Sequence, residues 1–179
     1  MIKIYTKTGD AGETSLLAGE RVTKDCITLQ TVGEVDDLNS KLGEVVAHLW
    51  EEEPAEFLKK IQRDLFKVGA ELAALQTVVE AKINKVGVQE VEELELAIDS
   101  YSDQLPTLTN FILPGGNVAA ANLYSARAIC RRAERSLVAL GKEKMVRSDL
   151  YKYLNRLSDY LFVAARWVNF NNGVEEFKV

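Results

Sequence analysis

Between Asn117 and Leu140 the chain carries an apolar seam, Leu123, Ala126, Cys130, Ala133, Leu137 and Leu140, recurring at alternating steps of three and four. That period belongs to an α-helix burying one stripe against neighbouring helices, and a strand cannot satisfy it. The same spacing returns in Val32, Val35, Leu38, Leu42, Val45 and Leu49, and in Phe57, Ile61, Leu65, Val68, Leu72 and Leu75. It returns in Val91, Leu94, Ile98 and Tyr101, and in Leu150, Leu154, Leu157, Leu161, Ala164 and Val168. With short links and no repeats, these segments predict an all-α, up-and-down bundle of about five helices over residues 32–172. The whole of 1–179, with 47% hydrophobic residues, suits one domain around one core. Residues 1–31 lack the helical period; Ile2, Ile4 and Tyr5 suit a short extended piece before a polar loop.

Charge and residue counts narrow the function. A net charge of −5 sets any phosphate-binding patch against the global field, so nucleic acid is not an expected partner. No apolar run approaches the roughly 20 residues that span a bilayer. Cys26 and Cys130 stand far apart without metal-ligand spacing, and Met1-Ile2-Lys3-Ile4 does not open a signal peptide, so a cytoplasmic protein with reduced thiols is expected. The one imidazole, His48, excludes the paired Glu-x-x-His ligands of di-iron bundles and suits a structural or exposed residue.

Several polar groups are not needed for packing. Arg127, Arg131 and Glu134 form a row about a quarter-turn from the seam, flanked by Arg132 and Arg135. Guanidiniums one turn apart beside a carboxylate suit a polyphosphate and its metal ion; a solvated basic face with a Glu134–Arg131 pair explains the same residues. The stretch Tyr5-Thr6-Lys7-Thr8-Gly9-Asp10-Ala11-Gly12-Glu13-Thr14-Ser15 offers hydroxyls, glycines and a lysine, with Lys24 downstream. It resembles a phosphate cradle without being a Walker A sequence, and an ordinary surface loop is the alternative. Asp36 lies on a separate side of its helix, where it either faces an arginine of another element or subunit or simply favours the helix dipole. Phe111 sits in a connection between Pro106 and Gly115-Gly116, suited either to packing on the core or to facing a flat ligand. Asn155, beside the last seam, is a packing device or a ligand contact. The glutamates of the third helix suit a solvated face.

Three separated motifs carry a family resemblance. They are Tyr5-Thr-Lys-Thr-Gly-Asp-Ala-Gly-Glu-Thr with Gly19-Glu-Arg-Val-Thr-Lys-Asp; Phe111-Ile-Leu-Pro-Gly-Gly with Arg127 to Arg135; and Asn155-Arg-Leu-Ser-Asp-Tyr-Leu-Phe. Together with Gly33-Glu-Val-Asp-Asp-Leu-Asn they resemble, in order and over almost the whole chain, the PduO-type ATP:cob(I)alamin adenosyltransferases. The resemblance implies transfer of the 5′-deoxyadenosyl group of ATP to cob(I)alamin, giving adenosylcobalamin and triphosphate. The alternative is an ATP-responsive corrinoid-binding and delivery module with little turnover. It further implies a homotrimer with sites between subunits. ATP is then held by Thr6, Lys7, Thr8, Gly9, Thr14, Ser15 and Lys24, and by Arg131, Arg132, Arg135 and Asn155. Glu134 is implied near Mg²⁺, Asp36 and Arg127 as the pair joining neighbours, and Phe111 under the corrin. Arg131, Lys24 and Phe111 carry the chemistry in that reading.

The implied reaction needs no protein nucleophile or general base. Cobalt attacks the 5′ carbon, and the protein aligns the two and stabilises charge on the leaving triphosphate. Cobalamin bound without its lower axial ligand is easier to reduce, which is the role implied for an apolar Phe111; a cobalamin reductase and an adenosylcobalamin-dependent enzyme are the implied protein partners. Two departures touch local loop contacts: Cys26-Ile27-Thr28-Leu29 replaces the usual Arg-containing step, and Asp37 stands where Glu is usual. The chain also ends at Val179, shortly after the last expected helix, so a long C-terminal lid over the corrin is expected to be absent or reduced to Phe177.

Overall fold

The computed structural model describes residues 3–179; Ile2 of the expected extended piece lies outside them. Five α-helices are found there: α1 (Ile27–His48), α2 (Glu52–Ala74), α3 (Val88–Ser102), α4 (Val118–Leu140) and α5 (Ser148–Asn171). The seams read from the sequence form their common core. Leu123, Ala126, Cys130, Ala133, Leu137 and Leu140 of α4 are all buried, as is the whole apolar line of α5.

Side-chain contacts fix the directions of the helices. Arg132 reaches Asp37 while Lys41 reaches Asn122, so α1 and α4 are antiparallel. Lys60 pairs with Glu93 and Lys67 with Glu90, which sets α3 against α2. Glu95 meets Arg156 and Gln104 meets Trp167, so α3 and α5 run parallel. The chain therefore runs up, down, up, down, up. One end of the bundle gathers the 103–117 connection and the C-terminal tail, and the other gathers the N-terminal segment and the 75–87 and 141–147 links.

Three local expectations change. First, Ile4 and Tyr5 form no strand and are exposed; the sheet is instead a hairpin of β1 (Glu13–Ser15) and β2 (Arg21–Thr23), with Thr14 opposite Val22. Buried Leu16 anchors its turn, which needs the left-handed backbone of Gly19 at φ 87°. Second, α1 begins at Ile27 rather than near Val32, because its opening turns bury Thr28 and Thr31, polar residues that an apolar count passes over. Thr31 satisfies its hydroxyl on the Ile27 carbonyl at 2.7 Å. Third, the α3 glutamates are more than a solvated face: Glu90, Glu93 and Glu95 tie α3 to α2 and α5.

At the far end a buried carboxylate holds the link into α5. Glu71, fully buried, accepts from Arg147 Nε and Nη2 at 2.7 and 3.1 Å, and Arg147 also donates to the Val86 carbonyl at 2.7 Å. A charge there is tolerable because the fork satisfies both of its oxygens. Among the described residues no helix is long and apolar enough to cross a membrane.

Candidate active site

Helix α4 packs on α5 through its apolar seam, and this packing turns the adjacent polar row into one wall of a cleft. Arg131, Glu134, Arg135 and Val138 of α4 and Asn155 of α5 line a space of about 300 Å³. Asn155 is exposed, so it is not a packing device. Its amide donates to Glu134 Oε1 at 3.1 Å, holding the half-buried carboxylate toward the cleft. The internal Glu134–Arg131 pair of the alternative reading does not form. Among the described residues Arg131 and Arg135 have no ion-pair partner, leaving two exposed guanidiniums for an anion. Arg132, their neighbour, points elsewhere: it reaches Asp37 at 3.4 Å and Glu34 at 3.9 Å on α1.

The N-terminal residues form a second group. Thr6 and Thr8 hydroxyls lie 2.9 Å apart, and Arg21 ties the Thr8 carbonyl at 3.1 Å and Glu13 at 3.3 Å. Lys24 folds over Gly9 so closely that a Cβ there would lie 3.2 Å from its Nζ. Its amide donates to the Gly12 carbonyl at 2.9 Å, across a glycine at φ 85°. Lys7 itself stands at φ 61°, a left-handed conformation that costs a non-glycine residue and that recurs where chains close on ligands. Thr14 and Ser15 lie on β1. No hydrogen bond or ion pair among the described residues links this group to the α4–α5 cleft.

Phe111 stands at the opposite end of the bundle and is 87% exposed, so its connection does not pack it onto the core. Arg131 lies thirteen helical residues beyond Val118, or about 20 Å along α4 from the end that carries Phe111. Arg127 is half-buried with its guanidinium 5.4 Å from the Phe162 ring, a cation–π contact, while Asp36 is exposed on α1. The two do not meet within one chain. His48 is exposed, and Cys26 and Cys130 are free thiols. Cys130 gives its Sγ to the Leu154 carbonyl at 3.2 Å, and burial pushes its pKa up, so it serves the α4–α5 contact rather than chemistry.

Sequence reasoning missed Asn169 and Arg166. Asn169 takes the Asn117 amide on Oδ1 at 2.9 Å and donates to the Gly115 carbonyl at 3.0 Å, clasping the Gly-Gly turn before α4. A signal existed: Ser158, Phe162, Ala165 and Asn169 form a second row on α5 at steps of four, three and four, and an Asn ending a buried row demands partners. Arg166, also buried, carries no comparable mark because its partners lie in the tail and the 103–117 connection.

A five-helix bundle with an arginine cleft on one face and a hydroxyl-rich, glycine-turned hairpin before α1 is a helical protein whose polar groups suit the phosphates of a nucleotide. The chain belongs to the cobalamin adenosyltransferase family, whose sequence model matches residues 4–168. It is 45% identical over 178 residues to the corrinoid adenosyltransferase of Bacillus subtilis, covering 97% of this chain and 90% of that one. Against the human corrinoid adenosyltransferase MMAB it is 43% identical over 179 residues, covering 97% and 72%. Its fold matches a variant PduO-type ATP:corrinoid adenosyltransferase from Lactobacillus reuteri complexed with cobalamin and ATP, with a TM-score of 0.95, 35% identity and 99% of each chain covered.

Proposed function

We infer that this protein transfers the 5′-deoxyadenosyl group of ATP to cob(I)alamin. The observation that carries the reading is the convergence of Arg131, Arg135, Glu134 and Asn155 on one cleft in which both guanidiniums lack a carboxylate partner. Cobalt supplies the electron pair for the new cobalt–carbon bond, and the C5′–O bond breaks with its pair passing to the triphosphate. Charge therefore grows on the leaving oxygens. Arg131, Arg135 and Lys24 are preorganised cations that stabilise it, Asn155 orients the nucleotide, and the hydroxyls and amides of Thr6 to Gly9, Thr14 and Ser15 cradle phosphate oxygens. Glu134, a single half-buried carboxylate, suits Mg²⁺, which binds through one or two carboxylates plus substrate phosphates and neutralises phosphate charge.

The active unit is a homotrimer with sites between subunits. Three features support this. Arg131 lies about 20 Å along α4 from the end of the bundle that carries Phe111, further than a single compact site allows. Asp36 and Arg127 lack an ion-pair partner in their own chain among the described residues. A groove of about 450 Å³ between α1 and α2 is lined by Asp36, Asn39, Val32, Leu65 and exposed Phe66, with the buried Asn39 Oδ1 left without a donor. A neighbouring copy would bring Arg127 to Asp36 and cover this apolar surface. Phe111 then meets the lower face of the corrin and excludes an axial ligand, which eases reduction by a cobalamin reductase; the product passes to an adenosylcobalamin-dependent enzyme. The two free thiols agree with a cytoplasmic setting.

Arg131→Ala tests the cleft. Loss of one preorganised charged donor is expected to lower kcat/KM by about 2–4 kcal/mol in transition-state stabilisation. Unchanged kcat/KM would remove Arg131 from the site.

A further inference from the structure

The C-terminal tail is fastened to the connection that carries Phe111. After α5 the chain turns at Gly173, with φ 65°, and doubles back along the end of the bundle. Ile112 and Lys178 form an antiparallel bridge. Leu113 N–H donates to the Phe177 carbonyl at 2.8 Å, and Val179 N–H to the Phe111 carbonyl at 2.9 Å. Successive residues of extended chain face opposite ways, and bridged partners face the same way. Ile112 packs on the core, so Phe111, Leu113, Phe177 and Val179 share the outward face, where all four are exposed. Two short segments thus build one apolar platform of aromatic and aliphatic side chains.

A bridge this short does not hold itself, since isolated two-stranded pairings are marginal in water. What holds it is Arg166. This residue is only 7% exposed, and its Nε and Nη2 donate to the two carboxylate oxygens of Glu176 at 2.9 and 3.1 Å. The same Nη2 donates to the Pro106 carbonyl at 3.0 Å. One guanidinium therefore joins α5, the tail and the start of the 103–117 connection. Asn169, one turn further along α5, secures the other end of that connection at Gly115 and Asn117.

We propose that the Arg166–Glu176 pair is a positioning latch: it docks the tail so that Phe177 and Val179 complete the platform begun by Phe111, and it thereby sets corrinoid affinity without contributing to nucleotide binding. This rests on the corrinoid reading of Phe111. The latch lies at the end of the bundle remote from Arg131 and Asn155, so the two substrates separate its effect. Breaking a bidentate, charge-assisted pair frees the tail, and a platform that loses half its side chains binds a flat apolar face more weakly.

The variant to make is Glu176→Ala, which leaves the core untouched, and beside it Phe177→Ala and the double variant. With ATP-loaded protein, absorbance titration of cob(II)alamin is expected to show a Kd raised about tenfold or more by Glu176→Ala, with the ATP Kd unchanged. Phe177→Ala is expected to weaken binding in the wild-type background and to add little once the latch is broken, because the side chain is by then undocked. Hydrogen exchange at the Leu113 and Val179 amides is expected to rise in Glu176→Ala. Unaltered exchange at those amides, unchanged corrinoid affinity, or a parallel loss of ATP affinity would overturn the latch. If the wild-type protein binds no corrinoid, the reading of Phe111 fails, while the exchange measurement still decides whether the latch exists.

Discussion

Arg131, Arg132 and Arg135 share a helix and a charge, yet their surroundings divide them. Arg132 is engaged with Asp37 and Glu34 across the α1 contact, whereas Arg131 and Arg135 open on the cleft beside Glu134 and Asn155. Adjacent residues of an α-helix point about 100° apart, so this division follows from the angle alone. Arg131 and Arg135 are one turn apart and make a fork that a flexible loop could not hold as rigidly. Phe111 is the opposite case, a large apolar side chain left in water at an energetic cost and with no packing role. Phe111→Ala is therefore expected to leave Tm and ATP affinity intact. Turnover starting from cob(II)alamin should fall by about tenfold or more, while turnover from chemically prepared cob(I)alamin falls far less, since only the former needs the axial position cleared. An equal loss in the two assays would argue against axial-ligand control.

At the scale of elements, the helices were legible because each buries one stripe, and a stripe leaves a 3.6-residue period in the sequence. The α4 and α5 seams were read residue for residue, and the arginine row was read as standing off the seam. Two kinds of feature left no such period. Polar residues that take part in burial, such as Thr28, Thr31, Asn169 and Arg166, look like surface to a hydrophobic count until their partners are known. Pairings between segments distant in sequence, such as Ile112 with Lys178, depend on where the helices deliver their ends. The Gly115-Gly116 turn shows how a local signal and a distant partner combine. Gly116 stands at φ 98°, and a Cβ there would lie 2.3 Å from Asn169 Oδ1. Gly116→Ala is expected to strain the backbone and dislodge the Asn169 clasp together, lowering stability by about 1–3 kcal/mol in denaturant titration. A change within about 0.3 kcal/mol would mean that the clasp contributes nothing.

The whole molecule presents its two halves of machinery at different ends of the bundle, with the hairpin before α1 at one and the Phe111 platform at the other. In the proposed trimer a second copy would supply the missing half of the site, with Asp36 and Arg127 as the charges that register the copies. Reversing one of them, as in Asp36→Arg, is expected to shift the protein toward monomer in sedimentation and to abolish turnover. Adding Arg127→Asp to that variant should restore assembly, because the pair is re-formed with its signs exchanged. An intact, active trimer in Asp36→Arg would remove the pair from the interface. The reaction itself is tested most directly by anaerobic turnover of the purified protein with Mg-ATP and chemically reduced cob(I)alamin, following corrinoid absorbance while triphosphate is assayed in parallel. Adenosylcobalamin and triphosphate forming in equal amounts is the expected result; ATP binding with neither product, or ATP consumed to diphosphate and phosphate alone, would contradict it.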